Sequence, residues 1–287
     1  MAATLIGNTQ VLIDGTGPDT ILMLHGWPDT AALWEPQVAA FAPSFRCVRF
    51  TWPGFEPGAP RKEHSLDSLL ALCEQVVLQT SPGRPVTLLV HDWGCVFGYR
   101  FAQRHPDLVA RVIGVDIGDA GSKAHLDEIG LKGILGIMAY QLWLATAWKI
   151  GGGIGESMTR SLAKRMHVPV APDALTAEKN YPYYSTWTGK YHGARPFRPL
   201  CPMLFIYGTR KPFLFRSSAW NGARKPLMFH SSAWTAELNA KPGSKAVAMD
   251  TDHWPMLRQP EAFNRLVLDW IGPPLTTDST HALPANL

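Results

Sequence analysis

The sequence predicts an α/β fold: a mostly parallel central sheet with helices on both faces and a helical insertion. Three observations point there. Short apolar runs bounded by Gly and Pro alternate with helical patterns along the chain. Several runs are apolar on both faces, as strands inside a covered parallel sheet must be. The alternation then stops between residues 121 and 199, where helical patterns and aromatics replace it.

The strands are expected at residues 20–26 (TILMLHG), 45–54, 85–92 (PVTLLVHD), 111–118, 201–208 and 244–250. Between 64 and 79 the pattern is helical. Ser65 is placed to cap the N-terminus, and Leu66, Leu69, Leu70, Cys73, Val76 and Val77 form one stripe. A second helix is expected at 259–271, with Pro260 in its first turn and Phe263, Leu266, Val267 and Trp270 on one face. Strand and helix in alternation imply parallel strands joined by crossovers. The expected division is a core domain of residues 1–120 and 200–287 and a helical cap of residues 121–199, placed at a strand end where it can act as a lid.

A chain of 287 residues, 46% apolar and with 11 Trp and 12 Phe, can bury a large core. The net charge of +4 comes without a Lys/Arg block, so nucleic acid is not suggested. Cys47, Cys73, Cys95 and Cys201 form no CxxC pair and sit in apolar surroundings. They read as buried free thiols, which suits a reducing, cytoplasmic setting. The first ten residues lack a basic segment followed by an apolar one, so no signal peptide is expected. The uncharged run 133–148, fenced by Lys132 and Lys149, is shorter than the ~20 residues of a spanning helix. It is expected to be a buried or cleft-lining helix, with no membrane span. The tail from 272 reads as a frayed terminus. RKPFLFRSSAW (210–220) recurs as RKPLMFHSSAW (224–234), matching at eight of eleven positions, and reads as a local duplication in a tolerant loop. No Gly-rich phosphate loop, HExxH or EF-hand pattern occurs, so no cofactor and no metal are implied.

The chemistry concentrates at residues 88–106, LLVHDWGCVFGYRFAQRHP. Asp92 stands at the end of an apolar strand where a helix begins. In open α/β sheets ligands bind outside the carboxyl ends of the strands. The turn there is the place of the nucleophile elbow G-x-S-x-G. Here it reads Val90-His91-Asp92-Trp93-Gly94: Asp holds the nucleophile slot, the second Gly is present and the first is Val. A carboxylate with an unperturbed pKa of about 3.9 is ionised at neutral pH and can attack an sp³ carbon without a base. A His can then activate water to hydrolyse the resulting ester, with a second carboxylate holding its tautomer.

Three motifs, HGWP (25–28), HDWG (91–94) and DTDHW (250–254), follow one another at the ends of expected strands. In this order the chain resembles the aspartate-nucleophile branch of the α/β-hydrolase superfamily, most of all the epoxide hydrolases, with haloalkane and fluoroacetate dehalogenases as relatives. The resemblance implies Asp92 as nucleophile, His253 as base, and the backbone N–H groups of Trp27 and Trp93 as the oxyanion hole. Its usual position for the third, acidic member is occupied by Pro212, so the acid is expected after the preceding strand, at Asp116 with Asp119 in reserve. The lid tyrosines that protonate an opening epoxide are expected at Tyr140, in AYQLW, and Tyr183, in EKNYPYYSTW, with Tyr184 close behind. Trp27, Trp93, Tyr184 and Trp254 are expected to line the substrate site, and Phe97, Trp143 and Trp148 to extend its apolar wall. Trp27 stands where many haloalkane dehalogenases place Asn, and Trp93 where fluoroacetate dehalogenases place Arg. The implied activity is opening of a small apolar epoxide by water to a vicinal diol. A haloalkane dehalogenase, another ester hydrolase and a catalytically weak, hydrolase-like binding protein are the alternatives; the oligomeric state stays open.

Overall fold

The computed structural model describes residues 2–191, 197–211, 216–218 and 224–272, with backbone alone at 216–218 and 224–226. Pro212, the tail from 273 and part of each repeat copy lie outside the described residues.

Eight strands form the main sheet: β1 (Ala2–Ile6), β2 (Thr9–Asp14), β3 (Thr20–Leu24), β4 (Arg46–Phe50), β5 (Val86–His91), β6 (Val109–Val115), β7 (Met203–Gly208) and, after a short β8 (Arg216–Ser218) and β9 (Arg224–Pro226) pair, β10 (Lys245–Met249). Their order is β1-β2-β4-β3-β5-β6-β7-β10. Only β2 runs antiparallel to its neighbours β1 and β4; β4, β3, β5, β6, β7 and β10 are mutually parallel. The first hairpin was not expected from the sequence. Ala2, Ala3, Thr4 and Leu5 are exposed, so β1 carries no two-faced apolar signal.

Strand alternation divides the core between the two faces of the sheet. Leu22 and Leu24 of β3, Leu88 and Val90 of β5, and Met203 and Phe205 of β7 point to one side. Ile21 and Met23, Leu89, and Leu204 and Ile206 point to the other. The first side is covered by α2 (Leu66–Thr80), α3 (Trp93–Arg104) and α7 (Ser232–Ala240), through Leu69, Val76, Phe97, Phe101 and Trp234. The second is covered by α1 (Glu35–Phe41), α8 (Pro255–Arg258) and α9 (Pro260–Ile271), through Phe41, Met256, Phe263 and Val267. As expected, Ser65 caps α2, its hydroxyl accepting from Ser68 N–H at 3.1 Å. The four cysteines are free thiols; Cys201 is only half-buried, the others are buried.

Between β6 and β7 lie α4 (Lys123–Ile150), α5 (Gly152–Arg165) and α6 (Tyr181–Trp187), and no strand occurs among the described residues of 121–199. The run at 133–148 belongs to a helix of 28 residues, longer than the run itself and kinked at Gly130 (φ 62°, ψ 179°). By length and composition α4 could cross a bilayer. Only one face of it is buried, through Leu144, Ala145, Ala147 and Trp148. Leu131, Leu135, Leu142 and Trp143 are exposed, so the expectation of a buried helix holds only for the face that carries Leu144 and Trp148.

Since β4 and β5 flank β3 on opposite sides, the chain reverses direction of sheet growth at β3, and the ends of β3 and β5 open a crevice. Two substitutions test this framework. Ser65→Ala should lower stability by about 1 kcal/mol in urea unfolding. Gly94→Ala should be far worse, because its Cβ would lie 2.2 Å from the Leu24 carbonyl oxygen. The expected readout is loss of soluble, cooperatively unfolding protein.

Candidate active site

Asp92 links β5 to α3 in a strained conformation, φ 51° and ψ −120°. For a non-glycine residue such a backbone costs roughly 1–3 kcal/mol and persists only where its surroundings hold it. They do so by close approach: a Cβ at Gly26 would sit 2.5 Å from Asp92 Oδ1. Gly94 is required by its contact with β3. Val90, which stands where the elbow motif has its first Gly, is accommodated by Gly98 on α3, where a Cβ would come 2.7 Å from Val90 Cγ1.

The two carboxylate oxygens of Asp92 face different partners. Oδ1 accepts the Trp27 N–H at 2.7 Å. Oδ2 lies 3.4 Å from His253 Nε2. Trp93 N–H, the other expected donor, stands at the first turn of α3 against Gly26, 2.5 Å from where a Cβ would be. On the far side of the imidazole, His253 Nδ1 bonds Asp116 Oδ2. Asp116 is fully buried, and its Oδ1 accepts from Lys211 Nζ and from Gly208 N–H at 3.0 Å. Asp116 is therefore the carboxylate that meets His253. Asp119 caps the segments around it, accepting from the Ser122 hydroxyl at 2.6 Å and from Ser231 N–H and Oγ at 2.7 Å.

Charge balance follows from this chain. Burial alone would lower the His253 pKa, but the carboxylates of Asp116 and Asp92 outweigh it and hold the imidazole at about 9. Burial pushes Asp92 up, and the His253 and Trp27 donors bring it below the usual carboxylate range. Asp116 is held well below that range, burial being overcome by Lys211 and His253. Burial pulls Lys211 down despite its bond to Asp116.

Trp27, Asp92, Tyr140, Tyr183, His253 and Trp254 line a small cavity of about 20 Å³ between the sheet and the insertion, and Lys211 reaches it too. A larger hollow shares Asp92, Tyr140 and Tyr183 and opens outward past Arg100 and His125. The Tyr183 ring meets the indoles of Trp93 and Trp27 edge-on, with centroids 5.2 and 5.9 Å away, and Tyr140 lies 6.1 Å from Tyr183. Burial raises both phenols above their ordinary value, so both carry their proton.

Four expected lining residues are elsewhere. Tyr184 stacks on Trp148 with ring centroids 4.3 Å apart and borders neither cavity, because successive residues of α6 point to different sides of the helix. Trp148 is its partner in that stack, and Trp143 is on the outer surface, its indole donating to Met158 C=O at 2.9 Å. Phe97 packs in the core beside Trp93.

Other residues act at the site without having been singled out from the sequence. Lys211 is one, adjacent in sequence to the acid slot that Pro212 occupies. His91 Nε2 donates to His253 C=O at 2.9 Å and so ties the His253 loop to β5. Asp29 accepts the Trp254 indole N–H at 3.0 Å, and burial raises its carboxyl to about 7. Lys179 and Asn180 fasten the insertion to the β3 loop. Lys179 Nζ, buried, donates to Pro28 C=O at 2.8 Å, and Asn180 Oδ1 accepts the Trp27 indole N–H at 2.7 Å. Asn180 is secured in turn by donating to Thr159 Oγ1 at 2.7 Å. Among the described residues no cluster of His, Cys, Asp and Glu is arranged to hold a metal.

The model of the alpha/beta hydrolase fold family matches residues 19–149. Over 96 residues the chain is 35% identical to the epoxide hydrolase srdG of Neurospora crassa, covering 31% of this chain and 28% of that protein. The match thus spans less than a third of that relative's length. Among solved structures, a Bacillus megaterium epoxide hydrolase in complex with an inhibitor superposes with a TM-score of 0.67 at 17% identity, covering 94% of this chain and 99% of that one. A thermophilic esterase from Thermogutta terrifontis superposes with a TM-score of 0.65 at 15% identity, covering 92% and 93%. Strand order, the elbow at Asp92 and these likenesses agree: the chain has the α/β-hydrolase fold, and the matched part of it is similar to epoxide hydrolases.

Proposed function

We propose that the protein is an epoxide hydrolase that opens an apolar epoxide to a vicinal diol through an ester on Asp92. Asp92 Oδ2 attacks an epoxide carbon, the C–O bond breaks, and Tyr183 or Tyr140 gives its phenolic proton to the departing oxygen. His253, oriented by Asp116, then takes a proton from water. The hydroxide adds to the ester carbonyl, whose oxyanion on Oδ1 is held by the N–H groups of Trp27 and Trp93. Collapse releases the diol and restores the Asp92 carboxylate, and the proton on His253 returns to the tyrosinate. Trp27, Trp93 and Trp254 form the apolar walls. The residues of 121–199 serve as the cap that brings the tyrosines over the nucleophile.

The observation that carries this reading is where the Trp27 indole N–H goes. A halide leaving group needs such donors free at the nucleophile. Trp27 spends its indole N–H on Asn180 at 2.7 Å, while the phenols Tyr140 and Tyr183 line the same cavity as Asp92. A committed Trp27 donor beside two protonated phenols favours the epoxide over the haloalkane.

His253 has a working cycle of charge. At neutral pH it starts as an imidazolium paired with Asp92, its pKa about 9. Forming the ester removes the Asp92 charge, one of the two groups that raise it. The pKa then falls, which frees the imidazole to act as base.

His253→Gln should accumulate an adduct heavier by a whole epoxide in intact-protein mass spectrometry, and Asp92→Asn should abolish it. An adduct lacking a halogen, formed from haloalkanes alone, would overturn the reading. Tyr183→Phe should lower the rate of adduct formation by about a hundredfold or more. It should leave hydrolysis of a preformed adduct nearly unchanged. In single-turnover experiments on the unsubstituted protein, adduct hydrolysis should rise with pH and level off with a midpoint below the free-protein value of about 9. Lys211→Met should move that midpoint upward, since a cation beside Asp116 is gone. It should also cost about 3–5 kcal/mol of stability, because Asp116 loses a buried partner.

A further inference from the structure

The outer face of the insertion is unlike the rest of the surface. On α4, Leu131, Leu135, Met138 and Leu142 follow one another at helical spacing, and Leu131 and Leu135 are 71% and 53% exposed. Trp143, 45% exposed, and Ile154 at the start of α5, 67% exposed, extend the patch. Isolated exposed apolar residues are ordinary, whereas a contiguous group marks an interaction surface.

The charges around the patch are of one sign. From residue 129 to 172 the only acid is Glu156, and it is paired with Arg160 at 2.9 Å. Over the same stretch stand Lys132, Lys149, Lys164 and Arg165. The acids just before it are engaged locally: Asp127 pairs with Lys123, and Glu128 accepts from Ser232 N–H at 2.9 Å. A hydrophobic strip with an exposed Trp and a cationic border has the composition of a helix that lies in a membrane interface. Burying the same face against a second copy by a two-fold axis would set these cations against themselves.

The patch also leads inward. A hollow between α4 and α5, lined by Gly136, Tyr140, Trp143, Leu162 and Arg165, opens on this side. Tyr140 lines both this hollow and the cavity that holds Asp92. An apolar molecule dissolved in lipid would meet the insertion at the place where one side chain separates the surface from the nucleophile.

We propose that the outer face of α4 and α5 docks the protein peripherally on an anionic phospholipid surface. Leu131, Leu135, Leu142 and Trp143 enter the interface, and Lys132, Lys149, Lys164 and Arg165 meet the lipid phosphates and carboxylates. This docking is independent of the reaction carried out inside, and its test involves no turnover.

The experiment is co-sedimentation of the full chain with phosphatidylcholine vesicles, with and without phosphatidylserine, over a range of salt. Binding should be at least about tenfold tighter with phosphatidylserine and should weaken as salt rises. Lys132→Ala with Arg165→Ala should weaken it by about 25-fold, roughly fivefold for each cation. Leu135→Glu with Leu142→Glu should abolish it while circular dichroism stays unchanged. Both leucines are exposed; should that pair nonetheless misfold, the cation pair and the salt series still decide. Absence of binding, or equal binding to neutral and anionic vesicles, would overturn the proposal. So would a dimer in sedimentation velocity that the Leu135/Leu142 pair dissolves, with no vesicle binding, since the face would then belong to a second copy.

Discussion

The site depends on how one buried carboxylate is shared. Asp116 has no exposure, and a bare charge there would be costly. Its two oxygens are divided between His253 on one side and Lys211 with Gly208 N–H on the other. That division orients the imidazole toward Asp92. It also tempers the field at His253, because Lys211 offsets part of the Asp116 charge. With Asp92 and His253 included, two anions face two cations, and the interior is close to neutral before any substrate enters. In the proposed reaction this balance would change by one charge at a time, which keeps each step away from an uncompensated buried ion.

Much of this was legible in the sequence where burial and chemistry coincide. The two-faced apolar strands could be read because both faces are covered, as in β5, where every residue is buried. The places of Asp92, His253 and Asp116 could be read because each follows such a strand. The choice between Asp116 and Asp119 could not be made from spacing alone. It is decided by the direction of a strained backbone, φ 70° at Asp116, which turns its side chain beneath the His253 loop. Tyr184 shows the converse limit. It neighbours Tyr183 in sequence, and only the helical phase of α6 separates a side chain in the cavity from one stacked on Trp148.

Lys211, Lys179 and Asn180 were invisible for another reason. A lysine carries no mark in sequence of being buried, since its partner lies far along the chain: 95 residues away for Lys211 and 151 for Lys179. Departures from a motif are likewise understood only in three dimensions. Val90 replaces a glycine of the elbow, and the space it needs is supplied by Gly98 on the facing helix. The edge hairpin β1–β2 escaped notice because one of its strands faces solvent nearly throughout.

The fastening of α6 to the β3 loop has a mechanical consequence. Asn180 and Lys179 bolt the C-terminal limb of the insertion to the very loop that presents the Trp27 N–H. Swinging that limb outward would break buried hydrogen bonds and loosen the Trp27 N–H from Asp92 in the same stroke. The opposite limb, where α4 bends at Gly130, carries no such bolts to the β3 loop among the described residues. For the proposed reaction, entry and exit would then fall to the Gly130 side, and the jaw that opens would not be the jaw that holds the Trp27 N–H on Asp92.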